Sequence, residues 1–349
     1  MDKLLIITSG PTQLIYQLST LELLNETTMK IEIIYNGLHR DSLDVFFQQL
    51  SVIKKFKYLG NINFDIIPKK SKNKTRLFNK YTAYLLNREV EKKFPTLKKY
   101  QFVEMLMMPV RVKVDSDITL LTYLKPKQVV LTADGVFDEF PKRNFVRSHY
   151  NYLDNILKRF PINKKVYSPN YLKIDISKIG SYKEISVKNE FQSILKIKLA
   201  KDFKQRYLNK NISCVIISQH FHLHEDISFE DDIAYYESII NYCLDKYDYS
   251  IIFKPHPRDT NKKIELLKLK FKNKIMIVDS KYQSLALEIF HKEFFKINTH
   301  FLTGNSSAPL FFKKTNKIFS VKSKKHLSSN LNDKIKLFSK KYGIKLIEV

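Results

Sequence analysis

The sharpest chemical signal in the chain is Lys254-Pro255-His256-Pro257, at the end of the apolar run 250–253. Proline on both sides restricts the backbone and removes competing amide donors, so the imidazole is held in one place. A fixed imidazole two residues from a lysine suits an anionic leaving group, which needs charge neutralisation or a proton. As plain structure, the same segment is a stiff turn with a capping histidine. A second segment, Thr303-Gly304-Asn305-Ser306-Ser307-Ala308-Pro309, sets two hydroxyls and a proline ahead of an apolar run. Ser307 suits an N-cap and Pro309 a first helical turn, where free backbone amides make an anion site. A plain capped helix fits that segment equally well.

Two further segments follow apolar runs in the first half. Thr132-Ala133-Asp134-Gly135 presents a carboxylate able to accept a proton from a hydroxyl nucleophile, or else ordinary Asp-Gly turn chemistry. Asp138 and Glu139 follow closely and read equally as solvated charges. Ser9-Gly10-Pro11-Thr12-Gln13 ends the first run: Thr12 is placed to cap a helix and Gln13 to offer its amide to a ligand, although taken alone the segment reads more readily as an ordinary strand-to-helix turn. In the second half, Ser218-Gln219 closes an apolar run and offers a similar polar pair. The neighbouring His220, His222 and His224 would share one face if extended and then suit zinc, yet no fourth ligand has a fixed spacing. No metal is expected.

The elements that must position these residues alternate regularly. Strand candidates are 3–8, 31–35, 62–67, 101–106 and 128–132, then 213–218, 249–254, 274–278, 294–297 and 317–321. Helical patterns fall near 12–25, 40–54, 74–94 and 112–124, then 188–208, 230–247, 260–271, 282–291 and 307–314. This βαβα order predicts an α/β chain of two doubly wound, Rossmann-like parallel sheets. The expected domains are 1–155 and 156–330, facing each other across a cleft, joined where PINKKVYSPNY breaks the pattern. A last helix within 331–349 is expected to pack back on the first domain. Ligands of such sheets bind beyond the carboxyl ends of strands, where the four segments lie.

Composition narrows the classes. Seven glycines in 349 residues are roughly 2%, against about 7% in ordinary proteins. A chain so poor in glycine holds neither a Walker loop nor a GxGxxG fingerprint, which excludes P-loop enzymes and dinucleotide dehydrogenases of the common type. Cys214 and Cys243 cannot form a disulfide framework and fit a reducing compartment. The opening apolar run is short for a signal peptide, and no segment approaches about 18 uncharged apolar residues, so a cytoplasmic protein is expected. The formal charge of +26 favours polyanionic partners, although Lys, Asn and Ile richness together also fits AT-rich coding. Nucleic acid is not the expected partner, since the lysines are dispersed and no recognition motif occurs. The C-terminal KSKKH…KIKLFSKKYGIK suggests an amphipathic contact with an anionic membrane face.

Taken together, the motifs resemble the bacterial sialyltransferases of GT-B fold, including the lipooligosaccharide sialyltransferase and capsule polysialyltransferase groups. That family carries an acidic (D/E)(D/E)G motif, an HP motif and a paired Ser/Thr motif in this order. Here they correspond to Ala133-Asp134-Gly135, His256-Pro257 and Ser306-Ser307, and TSGPTQL is similar to the family's first strand and turn. The resemblance implies a GT-B glycosyltransferase that moves sialic acid from CMP-sialic acid to a hydroxyl of a bacterial surface glycan. It further implies inversion, no obligatory metal and no cofactor beyond the donor. Asp134 would be the base, while His256, Ser306 and Ser307 would hold the CMP phosphate, with Gln13, Ser218, Gln219, Lys254 and Pro257 lining the substrate. Glu288 and Asp279 are candidates for the ribose hydroxyls. Ala133 departs from the pattern, so either Asp134 serves alone, Asp138 or Glu139 substitutes, or the enzyme is impaired. Another CMP-linked nonulosonic acid or Kdo is the alternative donor, and a basic nucleic-acid- or membrane-binding protein is the alternative of another class.

Overall fold

Leu4, Leu5, Ile6 and Ile7 form a run with no polar alternation, and all four are buried to within 1%. Such a strand is covered on both faces, as parallel sheets flanked by helices require. The computed structural model describes residues 3–8, 10–24, 30–35, 41–61, 87–88, 90–92, 94–109, 120–121, 123–132, 162–167, 181–183, 189–223, 227–247, 250–295 and 298–349. The chain divides into two compact units, residues 1–39 with 47–193 and residues 40–46 with 194–349.

The first unit holds one parallel sheet of seven strands: β1 (Lys3–Thr8), β2 (Lys30–Tyr35), β3 (Phe56–Asn61), β4 (Met105–Pro109), β5 (Gln128–Thr132), β6 (Ile162–Tyr167) and β7 (Ser181–Lys183). Their order is β3-β2-β1-β4-β5-β6-β7, so β1 lies between β2 and β4 and the winding reverses there. Helix α1 (Pro11–Leu23) follows β1 with proline in its first turn. Ten of its residues are buried, so it is a core helix with no wet face. Helix α2 (Asp41–Leu50) connects β2 to β3.

The second unit repeats the winding with six parallel strands: β8 (Ile212–Ile217), β9 (Ser250–Lys254), β10 (Met276–Ile277), β11 (His300–Thr303), β12 (Lys317–Lys322) and β13 (Lys345–Glu348). The order is β10-β9-β8-β11-β12-β13, with the switch between β8 and β11. Helix α3 (Asn189–Ile194) ends at the division between the units, and the second unit's helices are α4 (Lys198–Phe203), α5 (Phe229–Lys246), α6 (Asn261–Phe271), α7 (His291–Phe295) and α8 (Ser329–Tyr342). Tyr235, Tyr236, Ile239 and Cys243 of α5 pack with Cys214 and Ile216 of β8. Cys214 and Cys243 are buried free thiols, with sulfurs 3.6 Å apart.

Several expected elements shift for identifiable reasons. The fourth strand begins at Met105 rather than 101, because Phe102 takes a left-handed φ of 59° and donates its N–H to Leu124, ending any extended run there. The strand expected at 294–297 lies at His300–Thr303, since Phe294 belongs to α7. The third strand is Phe56–Asn61, and the expected 62–67 lies outside the described residues. β6 and β7 belong to the first sheet, so that sheet continues beyond the expected boundary at 155.

The C-terminal helix packs within the second unit. Leu331 and Ile335 of α8 sit in the second unit's core with Val321 of β12. Gly343, at φ 57°, then ends α8 in the left-handed conformation that favours glycine. The chain closes as β13 beside β12. Leu331, Ile335 and Phe338 of α8 are thus already covered, while Leu337 is exposed. Among the described residues, no helix is long and apolar enough to cross a membrane. Ile335→Ala is expected to destabilise the second unit by about 2–5 kcal/mol, measured by urea unfolding. A change under about 0.5 kcal/mol, the range of surface substitutions, would contradict this placement of α8.

Candidate functional site

The strand ends of the second sheet gather polar side chains at the β8/β11 switch, where open α/β sheets bind ligands. β9 stops at Lys254, and Pro255–Asp259 forms a closed turn. The His256 N–H donates to Asp259 Oδ2 at 2.8 Å, while the His256 carbonyl accepts from the Asp259 amide at 2.9 Å. Gln283 Nε2 donates to the carbonyls of His256 and Asp259 at 3.2 and 3.1 Å. Both backbone polar groups of His256 are therefore bound.

The ring is equally constrained. Arg258 N–H donates to His256 Nδ1 at 3.0 Å. An Nδ1 that accepts a hydrogen bond leaves the ring proton on Nε2, so the hydrogen-bond pattern assigns the neutral Nε2–H tautomer. The His220 ring lies against it, with centroids 4.1 Å apart at 34°. Burial, then the charges available on His220, Arg258, Lys254 and Lys263, push its pKa well below the ordinary imidazole range. The group offered here is a neutral N–H donor.

β11 stops at Thr303, and the next loop is braced by one amide. Gln219 Oε1 accepts from Asn305 N–H at 2.9 Å and from Thr303 Oγ1 at 3.4 Å, and its Nε2 donates to Asn305 Oδ1 at 2.6 Å. Thr303 Oγ1 in turn accepts the Ser306 N–H at 3.3 Å. Ser307 holds the N-cap position of a five-residue 3-10 turn, Ala308–Phe312, but its side chain makes no cap bond. The Ser306 hydroxyl takes that role, accepting the Ala308 amide at 3.3 Å. The expected capping therefore moves by one residue, because Ser307 is already helical at φ −78°, ψ −19°.

Other expected contacts turn inward. Gln219 is 6% exposed and its amide is occupied by Asn305, so it braces the loop rather than meeting a ligand. Ser218 is fully buried, with its amide on the Lys254 carbonyl at 3.0 Å, and it too lies beneath the site. Gln13, in the first unit, is buried and accepts from Thr8 Oγ1 at 3.4 Å, while Gly10 rather than Thr12 is the N-cap of α1. Asp279 is held by Lys268 and Arg206 at 3.1 and 3.0 Å and by Tyr207 at 3.2 Å. Despite burial, these partners hold its carboxyl below the usual range, as a structural ion pair would. His220 and His222 share no face, because 221–223 form a 3-10 turn rather than a strand. Ala133, Asp134, Gly135, Asp138, Glu139 and His224 lie outside the described residues.

Lys254 and Glu288 form the floor. Lys254 is buried and donates to the carbonyls of Gln283 at 2.6 Å and Pro255 at 3.2 Å, so its ammonium supports the histidine turn from below. Burial lowers its pKa to about 7. Glu288 is fully buried, and neither carboxylate oxygen accepts a hydrogen bond. Burial raises its pKa to about 7, against the pull of its own amide and of Lys254. Fully buried like Ser218, its side chain lies beneath the site. Pro257 is partly exposed at the head of the same turn.

Sequence reasoning missed Asp232, Asp259 and Lys263, which surround Gln219 and His256. A signal was present: Lys263 stands at i and i+4 spacing with Leu267 and Phe271, on the buried side of α6. Asp232 likewise shares a face with Tyr235, Tyr236 and Ile239 of α5.

The loop is tight at Gly304, where an added Cβ would lie 2.8 Å from both Gln219 Oε1 and Phe221 Cζ. Gly304→Ala is expected to cost about 1–3 kcal/mol by overpacking and to loosen the Gln219–Asn305 pair. Urea unfolding with an unchanged midpoint would show instead that the loop yields freely.

A model of the alpha-2,8-polysialyltransferase (POLYST) family matches residues 118–324, more than half of the chain. Among solved structures, the 2,6-sialyltransferase of Vibrionaceae Photobacterium sp. JT-ISH-224, in complex with donor product CMP and acceptor substrate lactose, aligns with a TM-score of 0.55 at 13% identity, covering 99% of this chain and 78% of that one. The GT-B domain of a Photobacterium damselae sialyltransferase aligns with a TM-score of 0.52 at 12% identity, covering 99% and 100%. At such identities these two show a shared GT-B fold. No curated protein sequence matches the chain. The chain belongs to the alpha-2,8-polysialyltransferase family and is a sialyltransferase of GT-B fold.

Proposed function

We propose that the chain transfers sialic acid from CMP-sialic acid, with inversion and without a metal, to a hydroxyl of a bacterial surface glycan. The observation that carries the donor side is the fixed imidazole of His256, bonded at Nδ1 and both backbone groups and set beside the braced Ser306–Ser307 loop. In the Photobacterium 2,6-sialyltransferase complex the donor product is CMP, which supports the same nucleotide here. Departure of CMP leaves an oxocarbenium-like sugar and a phosphate gaining negative charge. Nε2–H of His256, with the hydroxyls of Ser306 and Ser307, meets that charge with preorganised donors. Asp134 supplies the base that removes the acceptor proton.

The tautomer favours one role for His256 over another. A neutral imidazole with Nδ1 engaged as acceptor has no proton to give away cheaply, so it acts by hydrogen bonding to phosphate rather than as a general acid. Lysines on the open side of α8, Lys336 and Lys340, favour electrostatic contact with anionic glycan or the inner membrane face.

CMP release from CMP-sialic acid tests the reading. His256→Ala is expected to lose about 10²–10³-fold in turnover, the usual cost of one such donor. His256→Gln, which retains an N–H, is expected to recover at least tenfold of that loss, whereas a general-acid role would leave Gln as inactive as Ala. Turnover unchanged in His256→Ala would overturn the assignment. Asp134→Asn is expected to slow transfer by about 10²–10⁴-fold with CMP affinity retained; unimpaired transfer would place the base elsewhere.

A further inference from the structure

Behind the histidine turn lies a buried charge cluster that substrate contacts do not explain. Lys263 is fully buried, and its three ammonium hydrogens meet three acceptors, each at 3.0 Å: the Gln219 carbonyl, Asp232 Oδ2 and Asp259 Oδ1. These come from three separate elements, the end of β8, helix α5 and the turn after β9. An ammonium has three donors, so its valence is saturated. Its Nζ also lies 4.2 Å from the centroid of the Tyr236 ring, whose hydroxyl contacts the Gln219 amide and carbonyl at 2.5 and 3.2 Å. Asp232 is fully buried and extends the chain to His222 Nδ1 at 2.6 Å. Asp259 uses its other oxygen, Oδ2, for the His256 N–H.

Burying three charged side chains is costly, and replacing such clusters with apolar groups often leaves stability unchanged or improved. What this cluster does provide is geometry. Through Gln219 it fixes the brace of the Ser306 loop, and through Asp259 it fixes His256, so both halves of the donor-phosphate site refer to one ammonium. We propose that Asp259 and Lys263 are positioning residues of the transferase, holding His256 and Gln219 in the arrangement that receives the donor phosphate. This rests on the reading of His256 given above.

A double-mutant cycle on CMP release from CMP-sialic acid tests it. Asp259→Ala is expected to lower kcat/KM for the donor by about 10–100-fold, as small misplacements of catalytic groups do. Asp259→Asn keeps an acceptor for the His256 amide and is expected to recover most of that loss. The double variant Asp259→Ala with His256→Ala should be no worse than His256→Ala alone, because a residue acting through His256 has nothing left to position. Losses that multiply in the double variant, or an Asp259→Ala enzyme of full activity, overturn the proposal. Unimpaired His256→Ala would instead indict the donor-site reading itself. If Asp259→Ala does not fold, the near-isosteric Asp259→Leu, which also lacks an acceptor for the His256 amide, runs the same cycle under the same criterion.

Discussion

The ammonium of Lys263 has three hydrogens, and the second unit spends an acceptor from each of three elements on it. Everything ordered at the strand ends refers to that joint. The β8 end is fixed by its carbonyl, the turn after β9 by Asp259, and α5 by Asp232. A parallel sheet alone would not achieve this, since its hydrogen bonds stop where the strands stop and each connection leaves independently. The ion cluster continues the register of the sheet beyond the last ladder bond, into the loops where chemistry must occur.

Electrostatics at this end of the sheet run against the chain's overall character. A protein of formal charge +26 would be expected to meet a phosphate with lysine ammonium groups. The two lysines nearest the histidine turn are turned inward instead, Lys254 onto carbonyls and Lys263 onto carboxylates. What faces outward is a neutral imidazole whose Nδ1 is already bonded. On the proposed reading, oriented dipoles meet the anion, and they need no reorganisation as charge develops. On the same reading, the surplus surface charge acts at longer range, on encounter rather than on bond breaking.

Much of this was legible in the residues, and the failures have physical causes. β1, β5 and β9 were readable because unbroken apolar runs ended in turn residues, which set His256 and Ser306 just past strand ends. β13 was missed because four residues at a chain end carry no period. The roles of Gln219, Lys254 and Ser218 were misjudged because sequence order shows that a polar side chain lies at a strand end but not whether it points out or under. Lys263 was overlooked among many lysines, although its spacing with Leu267 and Phe271 set it on the buried face of α6. In a lysine-rich chain, position relative to the apolar stripe is informative where residue type is not.

The scarcity of glycine explains why the site is built from side chains. Glycine-rich loops bind phosphate by bringing bare backbone amides close, and each glycine loses more conformational entropy on folding than any other residue. Here the loop after β11 contains one glycine, and it is needed for close approach: an added Cβ would strike Gln219 and Phe221. The rest of the shaping falls to Gln219, Asn305 and Thr303 on one side and Asp259 and Gln283 on the other. Side-chain braces hold a loop through directional bonds from neighbouring elements, so its shape depends on the packing of the whole unit. A glycine-rich loop carries its shape locally and transfers between folds as a short motif. A braced loop leaves only two or three recognisable residues in the sequence, which is why His256-Pro257 and Ser306-Ser307 are such brief signatures of so elaborated a site.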